Sequence, residues 1–315
     1  RLLETIRMAK HQHSLAAHQA EYFRSAVCYQ TDMQYWNTVA RAELLQVATD
    51  YRNSIASLAK TIRERVEAGL VDPQDLLMAE VKLNEAEYQL LQAKSNLETG
   101  RMALNSLIGM ELNKTTEVED SIPSIVMNEE LWNLDGCNRP ELKMAYDQIN
   151  IAKSSKKLTD SKYKPQLYVG IEGSYSSPGD NFKSDLDPNY AVYAKLSVPI
   201  FEWGKRRNEK QASSFQVGAA TDNLHQVSDH VNLEVQTARV SLSQAMEQVQ
   251  LTGNSLDKAR ENERMALERY AEGKVSVVEV IEAQNYRQVS QTNYVQAKVS
   301  AQGHYSALLK ALNRY

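Results

Sequence analysis

The sequence predicts a mainly α-helical chain in which long helices fold back as antiparallel coiled-coil hairpins, written twice, with one β-hairpin between the copies. Three observations predict it. Glycine (12) and proline (7) are sparse in 315 residues and aromatics make up only 7%, in a sequence rich in the residues that favour long helices. One punctuated break occurs twice, as ERVEAGLVDPQDLLMAE at Glu64–Glu80 and as ERYAEGKVSVVEVIEAQ at Glu268–Gln284, 204 positions apart. One stretch alone, 165–199, leaves the helical alphabet.

Each element follows from its own pattern. The chain opens in helical sequence, RLLETIRMAK, without initiator Met or signal peptide, so its natural start is expected to have been removed. The helix leading to the first break repeats in phase: Leu45, Ala48, Arg52, Ile55, Ala59, Ile62 and Val66 correspond to Val249, Thr252, Leu256, Ala259, Glu263, Ala266 and Tyr270. Gly69 and Gly273 can each take the left-handed conformation that ends a helix, and Asp72-Pro73 or Ser276 starts the next. After the first break a heptad seam runs through Leu76, Ala79, Leu83, Ala86, Leu90, Ala93, Leu97, Gly100, Leu104 and Leu107. Every second position is small, which lets a partner helix approach closely. The second copy reads Val280, Ala283, Arg287, Ser290, Tyr294, Ala297, Ala301, His304, Leu308 and Ala311. Its polar middle predicts a helix facing water on more than one side.

The expected organisation is a first helical repeat over 1–109 with its tip near 67–73, then an irregular belt over 110–139. A helix over 140–164 completes the column, a β-hairpin covers 165–200, and a second repeat covers 201–315 with its tip near 271–276. In the hairpin, PQLYVGIEGSYSS and YAVYAKLSVP flank the turn PGDNFKSDLDPN. Leu167, Val169, Ile171, Tyr190, Val192, Leu196 and Val198 fall on an apolar face, and Tyr168, Gly170, Glu172, Tyr193, Lys195 and Ser197 on the polar one. A lipid-facing barrel strand needs this pattern; a soluble hairpin resting on the helices is the alternative.

Several classes are excluded or disfavoured. Lys and Arg (36) intermix with Asp and Glu (40) for a net charge of −4, leaving no basic stripe for a nucleic acid. No apolar run reaches transmembrane-helix length, which leaves a β-barrel possible. Phosphate loops, nucleophile elbows and paired catalytic carboxylates are missing, so neither an enzyme nor a cofactor is expected. His11, His13 and His18 lack a completing ligand at helical spacing and read as a solvated face, with no metal expected. Cys28 and Cys137 fit no zinc motif; a mutual disulfide and two free thiols are both open. Trp36, Trp132 and Trp203 read as packing or interfacial anchors.

Taken together, the paired tips, the return helix closing on ALNSLIG and the strand exit VPIFEWGKRRNEKQA resemble the TolC-like outer-membrane efflux proteins of Gram-negative bacteria, over essentially the whole chain. The resemblance implies an outer-membrane location extending into the periplasm. It also implies a homotrimer whose subunits each give four strands to a 12-stranded barrel in outer-membrane lipid, continued by a helical tunnel. The partners it implies are a periplasmic adaptor and, through it, an inner-membrane pump. Lys205 maps onto Arg1 by the same offset, so this chain starts where a first strand pair would end and supplies two strands; the missing pair and a helix are expected upstream.

The family's site residues map onto this chain as follows. Glu279 and Glu282 share a helix face and stand where the family has acidic rings at the tunnel entrance, although first-turn acids favoured by the helix dipole read the same way. Asp75 and Tyr270 match a latch whose basic member falls on Val275, with Lys274 adjacent. The tips, Gly69, Leu70 and Val71 with Gly273, Lys274 and Val275, match adaptor-docking points, Leu70, Val71 and Val275 being expected to lie exposed. The function expected is a passive exit duct of an efflux or type I secretion system, gated at the tips. The alternative is a soluble or peripheral coiled-coil scaffold without channel activity.

Overall fold

The computed structural model describes residues 1–126, 129–178, 184 and 186–315. In chain order the elements are α1 (Leu2–Glu67), α2 (Pro73–Leu107), α3 (Glu129–Asn133), α4 (Pro140–Lys162), β1 (Gln166–Ser176), β2 (Asp187–Ser197), α5 (Lys205–Ala271) and α6 (Val277–Ala311). At about 1.5 Å per residue, α1 and α5 are each on the order of 100 Å long and their return helices about half that. The chain divides into two units, one of 1–20 with 140–229 and one of 21–139 with 230–315.

In the larger unit both breaks form as their residues dictate. Gly69 and Gly273 take φ of 69° and 73°, a region where a side chain would clash with its own backbone. The amides of Leu70 and Lys274 bond back to Arg65 O and Arg269 O at 2.9 Å each, satisfying carbonyls the helix end leaves free. Asp72 then caps α2 by accepting from Gln74 N, and Ser276 with Glu279 forms a reciprocal capping box on α6.

The α2 seam packs on α1. Ala79 and Ala86 are fully buried and Leu97, Gly100 and Leu104 are buried too, while Leu107 at the end of the seam is exposed. At Gly100 the approach is close enough that Thr38 Oγ1 and Gln34 Nε2 of α1 donate to its carbonyl, each at 3.2 Å. Charged ends tie the flanks, with Arg52–Glu87 and Arg63–Glu80 both at 2.8 Å.

In the seam of α6 the polar middle, Arg287, Ser290 and Tyr294, is half-buried. Outside that seam Gln284, Lys298, Gln302 and Ser306 are buried. Each finds a partner: Gln284 donates to Ser54 of α1, Lys298 pairs with Glu43 of α1 at 2.5 Å, Gln302 donates to Pro123 O, and Ser306 donates to Asp32 of α1. The physical reason is that α6 is covered by α1 on one side and α5 on another, with Tyr294 against Gly253 of α5 and Gly303 against Met33 of α1. Buried polar groups are tolerated once paired, so polarity alone misreads burial here.

The irregular segment after α2 packs along these helices and includes the short α3. Ile122 is buried with Val39, Val47 and Val295, and Leu131, Trp132 and Leu134 pack on the cluster of Val235, Leu242 and Leu308. Trp36 and Trp132 are thus packing residues. Arg139 pairs with Glu234, and Asn313 donates to Asn138 O at 3.2 Å, fixing the end of the belt beside the end of α6. Cys28 and Cys137 are free thiols.

In the smaller unit β1 and β2 pair antiparallel, with Leu167 opposite Leu196, Val169 opposite Ala194 and Ile171 opposite Val192. Half of the turn expected between them, at 179–183 and 185, lies outside the described residues. His18 corrects the solvated-face reading of the histidines: its Nδ1 lies 2.8 Å from Asp147 Oδ2 of α4, and Asp147 is buried. That partner is 129 residues away, beyond any local spacing rule.

Candidate functional site at the hairpin tips

Both tips share one apolar cluster. Leu58, Ala59 and Ile62 of α1, Ala79 of α2, Tyr270 of α5 and Val277, Val280 and Ile281 of α6 are buried together. Ile62 and Val280 are fully enclosed, worth about 1.5–3 kcal/mol each relative to exposure. Val71 and Val275 are partly buried and lean onto this cluster, which corrects the expectation that they lie exposed; Leu70 remains open at 75% accessibility. Their apolar side chains gain more from covering the cluster than from projecting into water.

The acids at the tip have distinct settings. Glu279 Oε1 accepts from Ser276 N and Oγ, each at 3.2 Å, so this carboxylate has a structural task at the start of α6. Glu282 is exposed. Both line a groove of about 270 Å³ between α5 and α6, whose rim includes Arg269, Met265 and Tyr286. Asp75 sits in the first turn of α2, where the helix dipole favours an acid. Lys274 pairs with Glu272 of its own tip at 2.7 Å.

Tyr270 is the buried member. Burial raises its pKa, the Arg65 guanidinium opposes that rise and Asp75 adds to it, so the phenol stays neutral at physiological pH. Its hydroxyl has no well-aligned hydrogen-bond partner among the described residues. The guanidinium of Arg65 lies 4.7 Å from the ring centroid, and its Nη1 and Nη2 donate to Tyr270 O at 3.2 Å and Ala271 O at 3.1 Å. Nothing in the sequence pattern singled Arg65 out; the only signal is a basic residue in the last turn of α1.

About two turns before Tyr270 on α5, Glu263 accepts from Ser54 at 3.2 Å and pairs with Arg287 at 2.7 Å. Sequence reasoning placed Glu263 and Arg287 in the seams without seeing that they meet.

The β-hairpin is the second functional surface. Its register places Leu167, Val169, Ile171, Tyr190, Val192 and Leu196 on one face, all at least 66% exposed, and Val198, beyond the end of β2, is exposed as well. No helix of its own unit covers that face. On the other face Tyr193 lies over Gly170, where an added Cβ would come within 2.5 Å of its ring. Beyond β2, Ile200, Phe201 and Trp203 are exposed, and the rings of Phe201 and Trp203 meet edge to face at 4.9 Å.

The duplicated helical hairpins and the amphipathic β-hairpin with its bare apolar face define the class as a mainly helical protein with one exposed β-hairpin. The chain belongs to the outer membrane efflux protein family, whose match covers residues 134–314. This is a family of outer-membrane transport conduits, not of enzymes. The chain is 24% identical over 262 residues to the cobalt-zinc-cadmium resistance protein CzcC of Cupriavidus metallidurans, which covers 79% of this chain and 59% of that relative. It therefore spans less than two thirds of the length of that curated relative. Its fold is that of the Campylobacter jejuni CmeC outer membrane channel, with TM-score 0.78 and 18% identity over 98% of this chain and 67% of that one. It is likewise that of the Vibrio cholerae outer membrane protein VceC, with TM-score 0.83 and 16% identity over 98% of this chain and 75% of that one. No helix is long and apolar enough to cross a membrane among the described residues.

Proposed function

We propose that the native protein containing this chain is the exit duct of a tripartite efflux or type I secretion system, a passive homotrimeric conduit through periplasm and outer membrane. The observation that carries this reading is the bare apolar face of β1 and β2, since an aqueous scaffold would cover such a strip. An inner-membrane pump supplies energy and selects cargo, and the adaptor docks on the tips at Gly69, Leu70 and Val71 and at Gly273, Lys274 and Val275. Asp75, Tyr270 and Lys274 belong to the region that opens.

Two further stripes support the trimer. Leu77, Val81, Tyr88 and Leu91 of α2 are exposed at heptad spacing, and so are Leu233, Val240, Leu251 and Met265 of α5. Leu91 and Leu251 lie equally far along the chain from their tip glycines, as do Leu77 and Met265. Neighbouring subunits that bring α2 against α5 cover both stripes at once, in a heterologous contact that closes into a ring. Cysteines introduced together at Leu91 and Leu251 of the full-length protein are expected to give covalent trimers on oxidation in native membranes. Monomers alone under those conditions would overturn the arrangement.

At the entrance, Glu282 is the freer carboxylate and carries most of the cation preference, with Glu279 held partly by its capping box. Neutralising both, Glu279→Gln with Glu282→Gln, is expected to lower cation selectivity and block by divalent cations in planar bilayers, with Glu282→Gln alone giving most of the change. Unaltered selectivity in the double variant would remove the acidic ring.

A further inference from the structure

Of the polar links at the tips, one joins the ends of the two long helices and is made by a residue that no motif marks. We propose that Arg65 is the clamp that positions the entrance, a role that rests on the duct reading above. The last carbonyls of α5 lie at the negative end of its dipole, and Arg65 reaches from the last turn of α1 to donate to the final pair, Tyr270 O, which also accepts from Gly273 N at 3.0 Å, and Ala271 O. A planar guanidinium can donate along two parallel directions while its face lies on the Tyr270 ring, a combination a lysine cannot reproduce. The clamp is one-sided: by the 204-residue offset Arg65 corresponds to Arg269, which lines the groove between α5 and α6 instead, and Tyr270 corresponds to Val66. The first hairpin therefore holds the second at its tip.

The contact with Arg65 is carried by the Tyr270 ring and by the two backbone carbonyls. An outward movement of the α5 tip must break two charge-assisted hydrogen bonds and the stacked contact together. Loss of Arg65 thus shifts the tip towards the open arrangement without removing anything from the apolar cluster beneath it.

The test uses the full-length protein with Arg65→Ala and Arg65→Lys. In planar bilayers Arg65→Ala is expected to raise the open population by about tenfold or more, and Arg65→Lys by less, because one donor direction survives. Spin labels at Lys60 and Glu268 report the separation of the tips independently of conduction, with a longer and broader distance distribution expected in Arg65→Ala alone. An unchanged distance and conductance in Arg65→Ala overturns the clamp. A wild-type protein that conducts nothing while Arg65→Ala still separates the tips would instead overturn the duct reading and leave the clamp standing.

Discussion

Val192→Arg in the full-length protein is expected to abolish stable insertion into outer-membrane vesicles, while Ala191→Arg, one residue earlier, inserts normally. The two positions lie on opposite faces of β2. Val192 faces Ile171 across the ladder on the bare apolar side, and Ala191 faces Glu172 on the polar side. A lipid-facing arginine near mid-membrane costs roughly 2–4 kcal/mol, and three copies in a trimer multiply that cost. An arginine at position 191 instead meets the Glu172 carboxylate across the strands, a favourable opposite-charge pair. Heat-modifiable migration of folded against unfolded protein reads the result. Equal insertion of both variants would show that this strip does not face lipid.

Glu43→Ala is expected to destabilise the larger unit by about 3–5 kcal/mol, the cost of leaving one member of a buried ion pair alone. Lys298 Nζ sits 2.5 Å from Glu43 Oε1 with side-chain accessibilities of 9% and 20%, and the ammonium lies 5.0 Å from the Tyr294 ring centroid. The other carboxylate oxygen accepts from Ile122 N at 3.4 Å, so Glu43 joins α1, α6 and the belt at one point. Replacing both charges by apolar residues of similar size, Glu43→Leu with Lys298→Met, is expected to recover most of the loss, because no charge is then left unpaired. Chemical denaturation followed by circular dichroism measures both; a single variant as stable as wild type would show that the pair carries no net stabilisation.

Much of the fold could be read from local pattern because local geometry governs it. Gly69 and Gly273 mark breaks through backbone freedom, Asp72 and Ser276 mark helix starts through their side-chain oxygens, and the alternation in β1 and β2 assigns faces whatever lies nearby. The candidate site was legible in part. Glu279 and Glu282 stood out by spacing and by position in the repeat, and Asp75 and Tyr270 only through the family resemblance, yet their settings did not, since a capping box and a first-turn acid have the same sequence signature as a lining acid. Val71 and Val275 looked exposed because they follow a turn, and lie against the cluster because four helices converge there.

By itself the sequence determined the duplication, the tips, the helix lengths and the two faces of the β-hairpin, all set by periodicity and by steric rules acting over a few residues. Only the tertiary structure decided which polar groups are buried. Gln284, Lys298 and Ser306 on α6, Asp147 beside His18 and Arg65 at the end of α5 each depend on a partner more than a hundred residues away. A charge is stable in the interior only when that partner arrives, and its arrival is a property of helix packing rather than of any local run of residues.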